Sequence, residues 1–179
     1  MKKLLVLFFT LSVGVYGYTY NETLIKAQAA VFPKILLLDK KLNTKLINNK
    51  ILFIIAHEES DTTTAQNIQN MLQRQYKNNL LDYTLEVKTL EFSKISQNTD
   101  ATAIYILNSQ RYINTLSKIS ASKNMITFTY DINNLKEGFM FSLVLEKNTA
   151  LYINKESFKT DKINFVDSLY EIVKFINAN

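Results

Sequence analysis

The chain has 179 residues, a formal net charge of +5 and no cysteine, so a disulfide framework is excluded and stability has to come from packing. Only Arg74 and Arg111 are arginines among the 21 cationic residues, and no basic block occurs; this argues against nucleic acid as a partner, because phosphate and base edges favour the bidentate arginine fork. Of the three glycines only Gly138 lies beyond residue 17, which excludes the dinucleotide fingerprint and the phosphate-binding P-loop, both of which need several.

The amino terminus reads MKKLLVLFFTLSVGVYG. Lys2 and Lys3 form a positive leader, and residues 4–15 form an apolar core too short to span a bilayer, which takes about 20 residues. Val15 and Gly17 stand at the third and first positions before a cut that would leave Tyr18 as the first residue. Residues 1–17 therefore read as a signal peptide and 18–179 as one exported domain, whose charge falls to +3 because two lysines and no acid leave. The expected location is the periplasm.

The mature chain opens with Asn21, Glu22 and Thr23 as helix-start signals. Leu24, Ala27, Val31, Ile35 and Leu38 then recur at helical spacing, which predicts a helix over 22–39, kinked or broken at Pro33. This helix carries more apolar residues than one narrow stripe needs, so Phe32, Ile35, Leu36 and Leu37 are candidates for a partner-binding surface. KILFIIA, at 50–56, reads as a strand covered on both faces, followed by a polar segment and an amphipathic helix over 63–76. Residues 83–90 alternate as a half-exposed edge strand. ATAIYIL, at 101–107, repeats the buried pattern, with a helix over 110–120 and a further strand over 125–130. FMFSLVLEKNTALYIN reads as a hairpin, and Val166, Leu169, Tyr170, Val173 and Ile176 mark a terminal helix. The expected architecture is α/β: three layers, a mostly parallel sheet with a C-terminal antiparallel hairpin, and helices on both faces.

Little in this chain supports catalysis. No G-x-S-x-G is possible where glycine is absent, and the single histidine, His57, lacks the partner that H-E-x-x-H would supply, so neither a catalytic set nor a metal or cofactor site is expected. His57, beside Glu58, Glu59 and Asp61, is expected in a solvated loop just past the first strand. Ligands of open α/β sheets collect at the carboxyl ends of the strands, which makes His57, Asn108, Ser109 and Asp131 the candidate ligand-binding edge. For Asp131 and Gly138 a turn is the simpler expectation.

In order and pattern the chain resembles the YfiR/HmsC-like family of periplasmic regulators. KAQAAVFPKILLLDK, at 26–40, stands where that family has a KAAFLYNFAKFVEWP-like helix, and ILFIIA and ITFTYDINNLKEGFMFSLVLEKNTALYIN resemble its first strand and its later strand, loop and hairpin. The family's paired glycines are replaced by Glu137 and Gly138, the tryptophan and proline that end its first helix are absent, and its disulfides cannot form. The resemblance implies one YfiR-like domain that is not an enzyme. It would bind the periplasmic domain of an inner-membrane diguanylate cyclase or sensor kinase and repress it, so that biofilm output rises when it lets go. Members are often homodimers; no dimer motif is read here. The alternative class is a periplasmic receptor for a small ligand, using the carboxyl-end edge. Export sets a direct check: mass spectrometry of the protein recovered from the periplasm is expected to give Tyr18 as the first residue, and a membrane-held form starting at Met1 would contradict cleavage.

Overall fold

The computed structural model describes residues 18–158 and 164–176; the signal peptide read at 1–17 lies outside the described residues. In chain order the elements are α1 (Glu22–Leu36), β1 (Ile51–His57), α2 (Thr62–Tyr76), β2 (Asn79–Leu80), β3 (Tyr83–Glu91), β4 (Ala103–Ile106), α3 (Ile113–Lys123), β5 (Ile126–Thr129), β6 (Phe141–Leu145), β7 (Thr149–Asn154), α4 (Asp167–Ile172) and β8 (Val173–Ile176). Short 3-10 turns join several of them.

The strands form one sheet in the order β2-β3-β1-β4-β5-β6-β7-β8. Pairing is parallel from β3 through β6, antiparallel between β6 and β7 and between β2 and β3, and parallel again between β7 and β8. The expected α/β class, with its mostly parallel sheet and C-terminal hairpin, is what the chain adopts. The stretch β3-β1-β4-β5-β6 runs second, first, third, fourth, fifth, which is the flavodoxin-like doubly wound order. Its strand order reverses between β1 and β4.

The continuous apolar runs become the central strands because both faces are covered. On one face α1 and α2 pack over Phe53, Tyr105, Phe128 and Phe141; on the other α3 packs over Ile54, Ile104 and Ile106. Phe32 of α1 stacks on Phe128 at 4.6 Å between ring centroids, and Phe128 in turn lies 5.4 Å from Phe141 and 5.9 Å from Phe53. An aromatic seam thus ties α1 to three strands.

Three expectations need correction. Pro33 sits inside α1 rather than at a break, and the helix ends three residues later, at Leu36. The face of α1 turned to the sheet is Ile25, Gln28, Ala29, Phe32, Ile35 and Leu36, so the predicted stripe of Leu24, Ala27 and Val31 flanks it, only partly buried. At the other end the terminal helix stops at Ile172, and the β-branched and aromatic run that follows pairs with β7 as a strand instead. Strand β3 is nearly the edge it was expected to be, with only the two-residue β2 beyond it.

Gln28 is fully buried on α1 and is bonded at both ends of its amide. Its Nε2 donates to the carbonyls of Leu143 at 2.9 Å and Tyr130 at 3.2 Å, while its Oε1 accepts from the Tyr105 hydroxyl. Gln28→Leu keeps the volume but strands those three groups, each at about 1–3 kcal/mol. Urea unfolding is expected to show a loss of about 3 kcal/mol or more in total; a neutral or stabilising result would mean the position is simply apolar core.

Candidate functional site

The reversal between β1 and β4 puts two chain segments at the carboxyl edge of the sheet, Glu58 to Asp61 after β1, which ends at His57, and Leu107 to Ser109 after β4. In doubly wound sheets this is where ligands bind, because the neighbouring connections leave in opposite directions and open a crevice.

Here the crevice is occupied by the chain's own amino-terminal segment. The Tyr20 hydroxyl donates to Asp61 Oδ2 at 2.7 Å and accepts from the Asn108 backbone N–H at 3.1 Å, bridging the two sides. Its ring meets Tyr130 edge-on, with centroids 4.8 Å apart, and the Tyr130 hydroxyl accepts from the Asn21 N–H at 2.8 Å. Asn21 then caps α1, its Oδ1 accepting from the Leu24 N–H at 2.9 Å. Burial and, next, the hydrogen bond to Asp61 push the Tyr20 phenol well above its ordinary range; burial does the same to Tyr105.

The expected ligand edge is only partly assembled. His57 is not a solvated loop residue: β1 runs one residue further than predicted, and the imidazole is buried, its Nδ1–H donating to the Glu58 carbonyl at 2.7 Å. Ser109 donates to Glu58 Oε1 at 2.5 Å, a second bridge across the crevice, and its oxygen accepts from the Arg111 and Tyr112 N–H groups. Asn108 presents its N–H to Tyr20, while its side-chain Oδ1 is buried without a hydrogen-bond partner. Asp131 stands apart from these contacts. It caps a 3-10 turn, accepting from the Asn133 N–H at 2.9 Å, and Gly138 closes that turn at a φ of +99°, as the turn reading expected.

The candidate partner surface is not a surface. Phe32, Ile35 and Leu36 are buried against the sheet and Leu37 is half-buried against the same core, because the helix spends its excess apolar face on the sheet and on α2. Tyr20, Asp61 and Gln28 carry the edge's geometry. Asp61 already stands beside His57 in the sequence; the signals for the other two are a lone glutamine on an apolar helix face and a tyrosine three residues past the expected cut.

Among the described residues no group of three His, Cys, Asp or Glu side chains gathers as a metal site, and no helix is long and apolar enough to cross a membrane. No family model matches the chain, and no curated protein matches it. It is similar in structure to a conserved domain protein from Vibrio cholerae O1 biovar eltor, with a TM-score of 0.58 and 10% identity over 84% of this chain and 59% of that one. It is also similar to the ABC domain in complex with L-Trp from Streptococcus pneumonia, with a TM-score of 0.50 and 11% identity over 79% of this chain and 61% of that one. The chain thus spans about three fifths of the length of each. At such identities the likeness is one of fold: a doubly wound α/β unit.

The raised tyrosine pKa values have a sign. A phenol that stays neutral in the folded protein while ionising at about 10 when unfolded contributes stability that is intact below pH 10 and is lost as pH rises above it. Tyr76, whose hydroxyl donates to the Ala30 carbonyl, is pushed up to about 12 by burial and adds to the same fall. Stability by chemical denaturation is therefore expected to be flat from neutrality to about pH 10 and to decline beyond it. The decline should be shallower in Tyr20→Phe; an equal slope in the two proteins would show that Tyr20 ionises as freely folded as unfolded.

Proposed function

We propose that the protein is a non-enzymatic regulator of the cell envelope that docks on the periplasmic part of an inner-membrane signalling enzyme, such as a diguanylate cyclase, and represses it. The observation that carries this reading is the far end of the sheet. Tyr170, Ile172 and Phe175, on α4 and on the β8 that ends the sheet among the described residues, are 37%, 70% and 49% exposed. An open edge strand bearing large apolar side chains is a template for a partner's extended segment, which can add its own hydrogen bonds and bury those side chains. Tyr170 and Phe175 are stacked in parallel, and Lys174, between Val173 and Phe175, is held by Glu146 at 2.8 Å, so the edge is stiff before a partner arrives.

A second reading, a receptor for a small ligand, draws support from the orphan Asn108 Oδ1 at the β1–β4 crevice. One structural neighbour holds L-Trp. Tyr20 is already seated there, so a ligand at this crevice would have to displace it.

Crosslinking in the periplasm followed by membrane solubilisation tests the regulator. The unsubstituted protein is expected to retrieve an inner-membrane enzyme with a cyclase or kinase domain, and Phe175→Glu to lose about 90% of that recovery while unfolding at an unchanged denaturant midpoint. Retrieval unaffected by Phe175→Glu, or no signalling enzyme at all, would count against the proposal.

A further inference from the structure

The β1–β4 crevice holds a complete recognition pattern whose occupant is weakly tethered. The part that enters is a flat ring with one hydroxyl. The part that receives it is the buried Asp61 carboxylate, the Asn108 N–H and the Tyr130 ring. Among the described residues, the segment before Asn21 makes no backbone-to-backbone hydrogen bond with the rest of the protein; the arm is held by the Tyr20 hydroxyl, its ring contacts and the Asn21 N–H. Beside the ring lies a cleft of about 270 Å³ between the N-terminal halves of α1 and α2, lined by Tyr20, Glu22, Ile25, Asn67, Ile68 and Met71 among others. Asn108, whose N–H meets Tyr20, also has a buried side-chain Oδ1 without a hydrogen-bond partner.

We infer that this crevice is a binding site for a phenol-type head group, a flat ring whose hydroxyl donates to Asp61 and accepts from the Asn108 N–H, and that Tyr20 is its displaceable resident. A ligand whose second donor reaches Asn108 Oδ1 would gain a hydrogen bond that Tyr20 does not make, an advantage over the arm. Displacement frees residues 18–20 to move away from the carboxyl edge, with Asn21 as the pivot, because its Oδ1 caps α1 and its N–H stays on the Tyr130 hydroxyl. The site is separate from the β8 edge, so it stands whether or not that edge docks a signalling enzyme.

Calorimetric and NMR titrations of the mature chain with p-cresol and toluene test it. Tyr20→Ala is expected to bind p-cresol about tenfold more tightly than the unsubstituted protein does, and about tenfold more tightly than it binds toluene. Adding Asp61→Ala should abolish the preference for p-cresol over toluene. Tyr20→Phe, which keeps the ring against Tyr130 and loses only the hydroxyl, covers the case in which the alanine variant fails to fold; it too should bind p-cresol more tightly than the unsubstituted protein. Equal affinity for p-cresol and toluene, or no gain in either Tyr20 variant, overturns the inference.

Discussion

A buried amide on an otherwise apolar helix face governs how this molecule is assembled. Gln28 cannot enter the interior unless all its polar atoms find partners, since a buried amide left without hydrogen bonds costs several kcal/mol. Its partners are the Tyr105 hydroxyl of β4, the Tyr130 carbonyl just after β5 and the Leu143 carbonyl of β6. Only one rotation and one axial position of α1 over the sheet bring all three within reach. Apolar contacts alone would tolerate a helix that slides or turns by a residue; the amide does not. Polar groups fixed this way in a low-dielectric interior specify geometry more sharply than they add stability.

The consequence reaches the carboxyl edge of the sheet. With α1 fixed, its N-cap Asn21 lies beside the Tyr130 hydroxyl, and the residue before it, Tyr20, reaches across the β1–β4 reversal. The same tyrosine, Tyr130, thus supplies a carbonyl to Gln28 and a ring and hydroxyl to the arm. At the opposite end of α1 a second polar anchor works in parallel: the buried Asp39 carboxylate pairs with Lys45 and accepts from the Lys41 N–H, while Lys40 donates its N–H to the Asn164 carbonyl and Leu38 accepts from Val166. One helix therefore organises both the amino-terminal arm and the return of the C-terminal segment toward β8.

How much of this was legible in the sequence follows from how each feature is encoded. Runs such as ILFIIA and ATAIYIL can only be strands covered twice, so the central sheet and its class could be read directly. The face of α1 was read one position out, because periodicity counts apolar residues and Gln28 is polar: skipping it selects Leu24, Ala27 and Val31 instead of Ile25, Ala29 and Phe32. The terminal helix failed for a different reason. Val173 and Ile176 fit a helical spacing as well as a strand, and the choice was made by the unpaired side of β7, which no local pattern records. His57 was placed in solvent because it ends an apolar run, yet parallel pairing with Glu91 extends β1 over it. Each miss is a place where a partner distant in sequence decided the outcome.

Glycine scarcity, used first to exclude phosphate-binding loops, also shapes the fold. Turns that need a positive φ have to be made by other residues, and asparagine bears most of them: Asn48 and Asn49 make the tight reversal into β1, Asn78 follows the left-handed cap of α2, and Asn124 caps α3. Asparagine tolerates that region because its short side chain can bond locally, where a branched or bulky residue would strain. An amide backbone loop without glycine keeps its Cβ atoms in the way, so it cannot close onto a phosphate as a P-loop does. The crevice between β1 and β4 is accordingly built from side chains, Asp61, Glu58, Ser109 and Tyr130, around one backbone N–H. That construction suits a hydroxyl and an aromatic face, and it explains why a doubly wound sheet of this kind has taken up a tyrosine at the position where its glycine-rich counterparts hold a nucleotide.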